Sequence, residues 1–205
     1  MKKIWLLLLF LPCVVAHRYA GKIVYTIEPA SRMFLQGTTS INDFQCNCTD
    51  QFPQGAFSMA YHAATRSFVF SNAQLLIKTT LLNCKNKLMN RDMHKALKAQ
   101  EYPFSKLLLL DATPQHSNGN MQTNSWYRYN THSVLTIAGV SRRVDIPVQL
   151  CKLSNGKMRI TASKELLMSD FNVKPRTPFN MIRIDDKIII SFDMVVSLHQ
   201  PSAAE

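Results

Sequence analysis

The amino-acid sequence predicts an all-β fold, an antiparallel up-and-down barrel with a single helix laid over one end. Three observations lead there. Short segments that alternate apolar and polar residues recur along most of the chain, separated by turn-forming residues. Several of them run to about ten residues and follow one another without helical crossovers, as closure against edge pairing requires, which favours a barrel over a sandwich. One stretch breaks the pattern, NCKNKLMNRDMHKALKAQEYPFSKLLLLDA at 83–112. Residues 86–99 contain no Gly, Pro or β-branched residue, and Met89, Met93, Ala96 and Leu97 fall at i, i+4, i+7 and i+8, one apolar stripe of a helix. Lys87, Arg91, Lys95 and Lys98 lie off the stripe. Asn86 is placed to cap the helix, and Tyr102-Pro103 bars its continuation.

In chain order, residues 19–27 and 32–36 read as strands joined by a Glu28-Pro29-Ala30-Ser31 turn. Gly37-Thr38-Thr39-Ser40 interrupts, INDFQC is expected to form a turn of helix, and residues 45–49 extend again. After a loop at 51–55, Phe57, Met59 and Tyr61 share one face of a strand over 56–62. Residues 67–82 read as one long extended segment with Leu75, Ile77, Thr79 and Leu81 at period two. Beyond the helix, the run Leu107-Leu108-Leu109-Leu110 suggests a strand over 104–112 buried on both faces, the helix on its outer one. Asn118-Gly119-Asn120 marks a turn. Strands follow at 121–129 and 133–138, then a hairpin at Gly139 into Val144, Ile146, Val148 and Leu150. A turn at Ser154-Asn155-Gly156 precedes Met158, Ile160 and Ala162, and the last strand places Ile188, Ile190, Phe192, Met194, Val196 and Leu198 on one face.

At 205 residues and 46% apolar composition the chain can bury one sizeable core. MKKIWLLLLFLPCVVA has the basic start, short apolar run and small closing residues of a cleaved secretory signal over 1–16. That leaves a single mature domain over 17–205, periplasmic or secreted. A lipoprotein anchored at Cys13 is the weaker reading, since Pro12 directly precedes it. Cys46, Cys48, Cys84 and Cys151 then remain, an even number that suits an oxidising compartment and allows three full pairings. Zinc fits less well, because Cys46 and Cys48 are spaced C-x-C and no His lies close to any of them.

The formal net charge is +11, falling by two when Lys2 and Lys3 leave with the signal. Basic residues are dispersed, with Arg142-Arg143 the adjacent pair noted, and no nucleic-acid motif is present, so nucleic acid is not an expected partner. A solvated basic face, or peripheral contact with an anionic membrane surface, accounts for the charge.

Four stretches together resemble the YceI-like, polyisoprenoid-binding family: GTTSINDFQC at 37–46, CKNKLMNRDMHKALKAQEYPFSKLLL, LTIAGVSRRVDIPV at 135–148, and LLMSDFNVKPRTPFNMIRIDDKIIISF. The resemblance implies an exported, eight-stranded, lipocalin-like barrel, a helix at one end, a long isoprenoid or related lipid in its lumen, and no established enzymatic activity. It also implies a Cys46–Cys84 disulfide, since cysteines at these two places recur in part of the family; the pairing of Cys48 and Cys151 stays open. Where the family commonly has Gly, this chain has Asn172 and Asn180, a residue that tolerates positive φ. The loop from Lys174 to Met181 is expected to border the cavity mouth.

No G-x-S-x-G, H-E-x-x-H, P-loop or dinucleotide fingerprint occurs, and the six histidines are scattered. Three functions remain: a lipid carrier, which is preferred, a secreted enzyme acting on an apolar substrate in the same pocket, and a ligand-free interaction module. No cofactor or metal is expected beyond the bound lipid, and a homodimer is left open. By parity the lumen should be lined by Phe57, Met59, Leu75, Ile77, Leu135, Ile137, Ile146, Val148, Ile190, Phe192 and Met194.

Overall fold

A computed structural model describes residues 20–49, 52–116, 120–175 and 182–199. The expected signal at 1–16, Asn118 and Gly119 of the turn at 118–120, and the turn at Asn180 therefore lie outside the described residues.

Among the described residues, twelve strands form one antiparallel sheet that closes on itself. They are β1 (Ala20–Ile27), β2 (Arg32–Thr39), β3 (Asp43–Cys48), β4 (Gly55–His62), β5 (Ser67–Ser71), β6 (Gln74–Lys78), β7 (Leu82–Asn83), β8 (Phe104–Pro114), β9 (Trp126–Ile137), β10 (Val140–Lys152), β11 (Met158–Leu167) and β12 (Ile184–His199). Several are pieces of one track. β1 and β2 both pair with β12, at 196–199 and 184–193, so they form one long strand bent at 28–31. β3 continues into β4 along β2 and β1. β5, β6 and β7 make a third interrupted track between β4, β3 and β8. Counted by track the barrel has eight staves, each beside its neighbour in sequence, and β12 returns to close the ring.

Several sequence expectations change here. Gly37 does not break its strand: it sits in β2 opposite Phe44, and a Cβ on it would meet the Phe44 ring at 2.5 Å. The glycine marks a close approach across the ladder. INDFQC forms no helix turn. Thr39 Oγ1 accepts from the backbone of Ile41 and Asn42 at 3.3 and 3.0 Å, making a tight turn from which β3 runs extended. The segment 67–82 is interrupted at Asn72, which takes φ 62°, and again by a 3-10 turn over Thr79–Leu81. That turn rotates the chain so that Leu82, rather than Leu81, is buried. Two further strands expected at 121–129 and 133–138 are a single β9 beginning at Trp126. Its hairpin with β10 turns on Ala138 and Gly139, both at positive φ, as a two-residue hairpin loop of the right twist demands.

The helix α1 spans Lys87–Ala96. Asn86 caps it, its side chain accepting from the Leu88 and Met89 amides at 3.0 and 3.1 Å. Leu97 and Lys98 leave the helix, Lys98 with φ 50°, so it ends before Ala99. Met89, Met93, Ala96 and Leu97 pack on the core from the barrel end. The helix does not cover the outer face of β8, and none of Leu107 to Leu110 is fully buried. Two devices fix the helix to the sheet. Asn90 accepts from the Cys84 amide and donates to Asn83 Oδ1, and a disulfide joins Cys46 of β3 to Cys84. Closing 38 residues of chain stabilises the fold by about 3–4 kcal/mol in the chain-entropy account.

An apolar cavity under the helix

Inward-facing side chains divide the barrel into two halves. In the half away from the helix, Tyr25, Phe57 and Phe70 form a row of rings with centroids 6.0 and 5.8 Å apart, and Phe68 lies 6.4 Å from Tyr129. Met194 and Val196 are buried there on β12, which pairs with β1 at Ile27. Under the helix the lumen is instead an apolar cavity of about 250 Å³. Its wall draws on almost every stave: Met33 and Leu35 from β2, Phe44 from β3, Ile77, Leu107, Leu135, Leu166, and Ile188, Ile190 and Phe192 from β12. Met89, Met93 and Leu97 roof it, and both disulfide cysteines reach it. Beyond the last β10–β11 pair, Val148 with Ala162, the strands part, and a 3-10 turn over Met168–Phe171 enters the region. Phe171 and Val173 are buried and line the cavity from there.

Six of the eleven side chains expected in the lumen line this cavity: Ile77, Leu135, Ile137, Ile146, Ile190 and Phe192. The other five, Phe57, Met59, Leu75, Val148 and Met194, do not. Their parity is inward, since Phe57 pairs with Ile23, Leu75 with Leu107, Val148 with Tyr129 and Met194 with Ile160. Phe57 and Met194 belong to the half away from the helix, while Leu75 lies beside the wall, opposite Leu107, without lining the space. Alternation reports which face a residue takes and nothing about its depth along the barrel. Met33, Leu35 and Leu166 were missed although each alternates in its strand; the last was hidden because Lys164 interrupts the apolar series Met158, Ile160, Ala162. Phe171 and Val173 lie outside any strand and gave no periodic signal.

The expected mouth loop at 174–181 is described only at its start, where Pro175, like Ile182 just beyond the loop, lines the cavity. Polar groups in the wall are few. Thr39 Oγ1 donates to Asn42 and Asn86 caps the helix. Asp92 accepts from Arg91 Nε at 3.1 Å. Among the described residues, no group of three or more His, Cys, Asp or Glu side chains is placed to hold a metal ion, and no helix is long and apolar enough to cross a membrane.

A profile of the YceI-like domain matches residues 25–196. The chain belongs to the YceI-like family. Among solved structures it resembles BcnA of Burkholderia cenocepacia at 17% identity and a TM-score of 0.60, covering 83% of this chain and 99% of that one. A polyisoprenoid binding domain from Saccharophagus degradans, implicated in plant cell wall breakdown, aligns at 12% identity and a TM-score of 0.62, over 84% and 97%. A Campylobacter jejuni YceI protein aligns at 17% identity and 0.51, over 76% and 84%. At such identities the likeness is one of fold. No match was found among curated proteins.

Proposed function

We propose that this YceI-like protein is an exported carrier that holds a long apolar chain, an isoprenoid or related lipid, in the cavity under its helix. The observation that carries the reading is the wall itself: aliphatic, aromatic and methionine side chains from nearly every stave converge on one space, and its Thr39, Asn42, Asn86 and Asp92 side chains are already engaged within the protein. The neighbour named for polyisoprenoid binding supports the ligand class. Export is supported by the signal-like N-terminus and by the disulfide, which suits an oxidising compartment.

Peripheral contact with an anionic membrane belongs to the same proposal. Exposed Ile41, Leu88 and Leu167 stand at the cavity end, near Lys87, Arg183 and Lys187. Co-sedimentation with anionic vesicles that is unchanged when all three apolar residues become Ser would remove that part.

The test of the carrier is extraction of the protein, purified from its native compartment, with organic solvent followed by mass spectrometry. A long-chain apolar compound in stoichiometric amount is expected. Protein that yields no lipid, and takes none up from a mixed lipid extract, would overturn the reading.

A further inference from the structure

We propose that Lys164 holds the anionic head group of a single-chain amphiphile, so that the cargo is acidic: an apolar tail ending in a carboxylate or a phosphate monoester. The inference rests on the carrier reading and names the ligand class for it.

Lys164 belongs to the inward series of β11, flanked by Ala162 and Leu166, and pairs across the ladder with Ile190. It is half-buried, lines the cavity, and is the one cationic side chain that does so among the described residues. Half-buried, the ammonium keeps some contact with water, and on the side facing the apolar wall it is free to gain from a counter-charge. None is supplied from within: no ion pair among the described residues involves Lys164. Its sequence neighbour Glu165 points the other way and bonds Lys187 at 3.1 Å. Asp92, the acidic group in the wall, is held by Arg91. A merely solvated lysine would satisfy the alternation rule better on the outer face, where Lys187 stands. At position 164 the long aliphatic stem can pack on the wall while the ammonium meets an anion carried in by the ligand.

Four probes with the same tail decide the matter: oleic acid, oleyl phosphate, oleyl alcohol and oleylamine, titrated by calorimetry into the delipidated mature protein. At least one acidic probe should bind about tenfold or more tighter than the alcohol, the scale of one charge-assisted hydrogen bond, and the stronger of the two identifies carboxylate or phosphate. Lys164→Met should bring the acid-to-alcohol ratio close to one, whereas Lys164→Arg should keep it. A ratio near one in the unmodified protein, or a preference that survives Lys164→Met, overturns the inference while leaving the carrier standing. Failure of all four probes to bind overturns both.

Discussion

At position 172 the backbone takes φ 55° and ψ 24°, closing the 3-10 turn that carries Phe171 into the cavity wall. The conformation is one that Asn and Gly adopt cheaply and a β-branched residue does not. Asn172→Val should therefore cost about 1–2 kcal/mol in chemical denaturation, with Asn172→Gly close to neutral. That turn was legible only through the family resemblance, which has Gly where this chain has Asn172. Lys164 was not, since a lysine reads as surface until its register is known. A second single-residue effect lies on the outer wall, where His132 Nδ1 meets Asp111 Oδ1 at 2.6 Å and Nε2 lies 3.8 Å from Asp145. The hydrogen bond to Asp111, then its charge and, less strongly, that of Asp145, raise the His132 pKa above its ordinary 6.5, against the opposing effects of desolvation and, smaller still, of Arg143. A raised folded-state pKa gives stability that is complete below the unfolded value and is lost as pH rises through the folded one. His132→Gln should lower the melting temperature at about pH 6, and the gap to the parent should close towards about pH 9. A gap independent of pH would mean that packing, not charge, is what the histidine supplies.

Among the elements, the helix was the easiest to read, because its apolar period and its Asn86 cap are local signals, although it ends at Leu97 and Lys98, before the Pro103 stop. The strands were read as to face but not as to continuity. The turn at 28–31 was legible from its composition, whereas Gly37 looks like a breaker unless Phe44 is known to lie over it, and the interruptions at Asn72 and Thr79 fall inside what reads as one extended segment. The same distinction governs what a helix substitution does. Met93 faces the cavity, and its sulfur lies 3.8 Å from that of Cys84, so it sits at the point where roof and disulfide meet. Met93→Asp would put a carboxylate against Met89, Leu97 and the apolar wall. A loss of about 2 kcal/mol or more is expected by thermal denaturation, with weaker retention of an apolar chain. Met93→Leu, close in volume, should stay within about 1.5 kcal/mol of the parent. If Met93→Asp changed neither stability nor retention, the apolar stripe would not face the lumen in solution.

For the whole molecule, an antiparallel barrel with one helix follows from patterning and its eight staves from the family resemblance, whereas the division of the lumen follows from neither. Parity alone would make one long tunnel, and the ring cluster around Phe57 instead fills the half remote from the helix. The binding energy of the remaining cavity should come from its apolar wall. Each methylene of a ligand moved from water into that wall contributes about 0.8 kcal/mol before ordering costs. A rim-exposed basic side chain meeting a charged group adds only about 0–1 kcal/mol. Affinity for a homologous series should thus rise steeply with tail length and level off once the cavity is full, and raising the salt should alter it far less than adding two carbons. Phe192 lines the cavity on β12, opposite Met33 of β2, so Phe192→Asp should abolish retention of an apolar chain. Arg142 and Arg143 are exposed on β10, and converting each to Ala should leave retention within about twofold. Binding that followed salt and ignored tail length, or that survived Phe192→Asp and fell with the arginines, would identify a basic surface module in place of a lipid carrier.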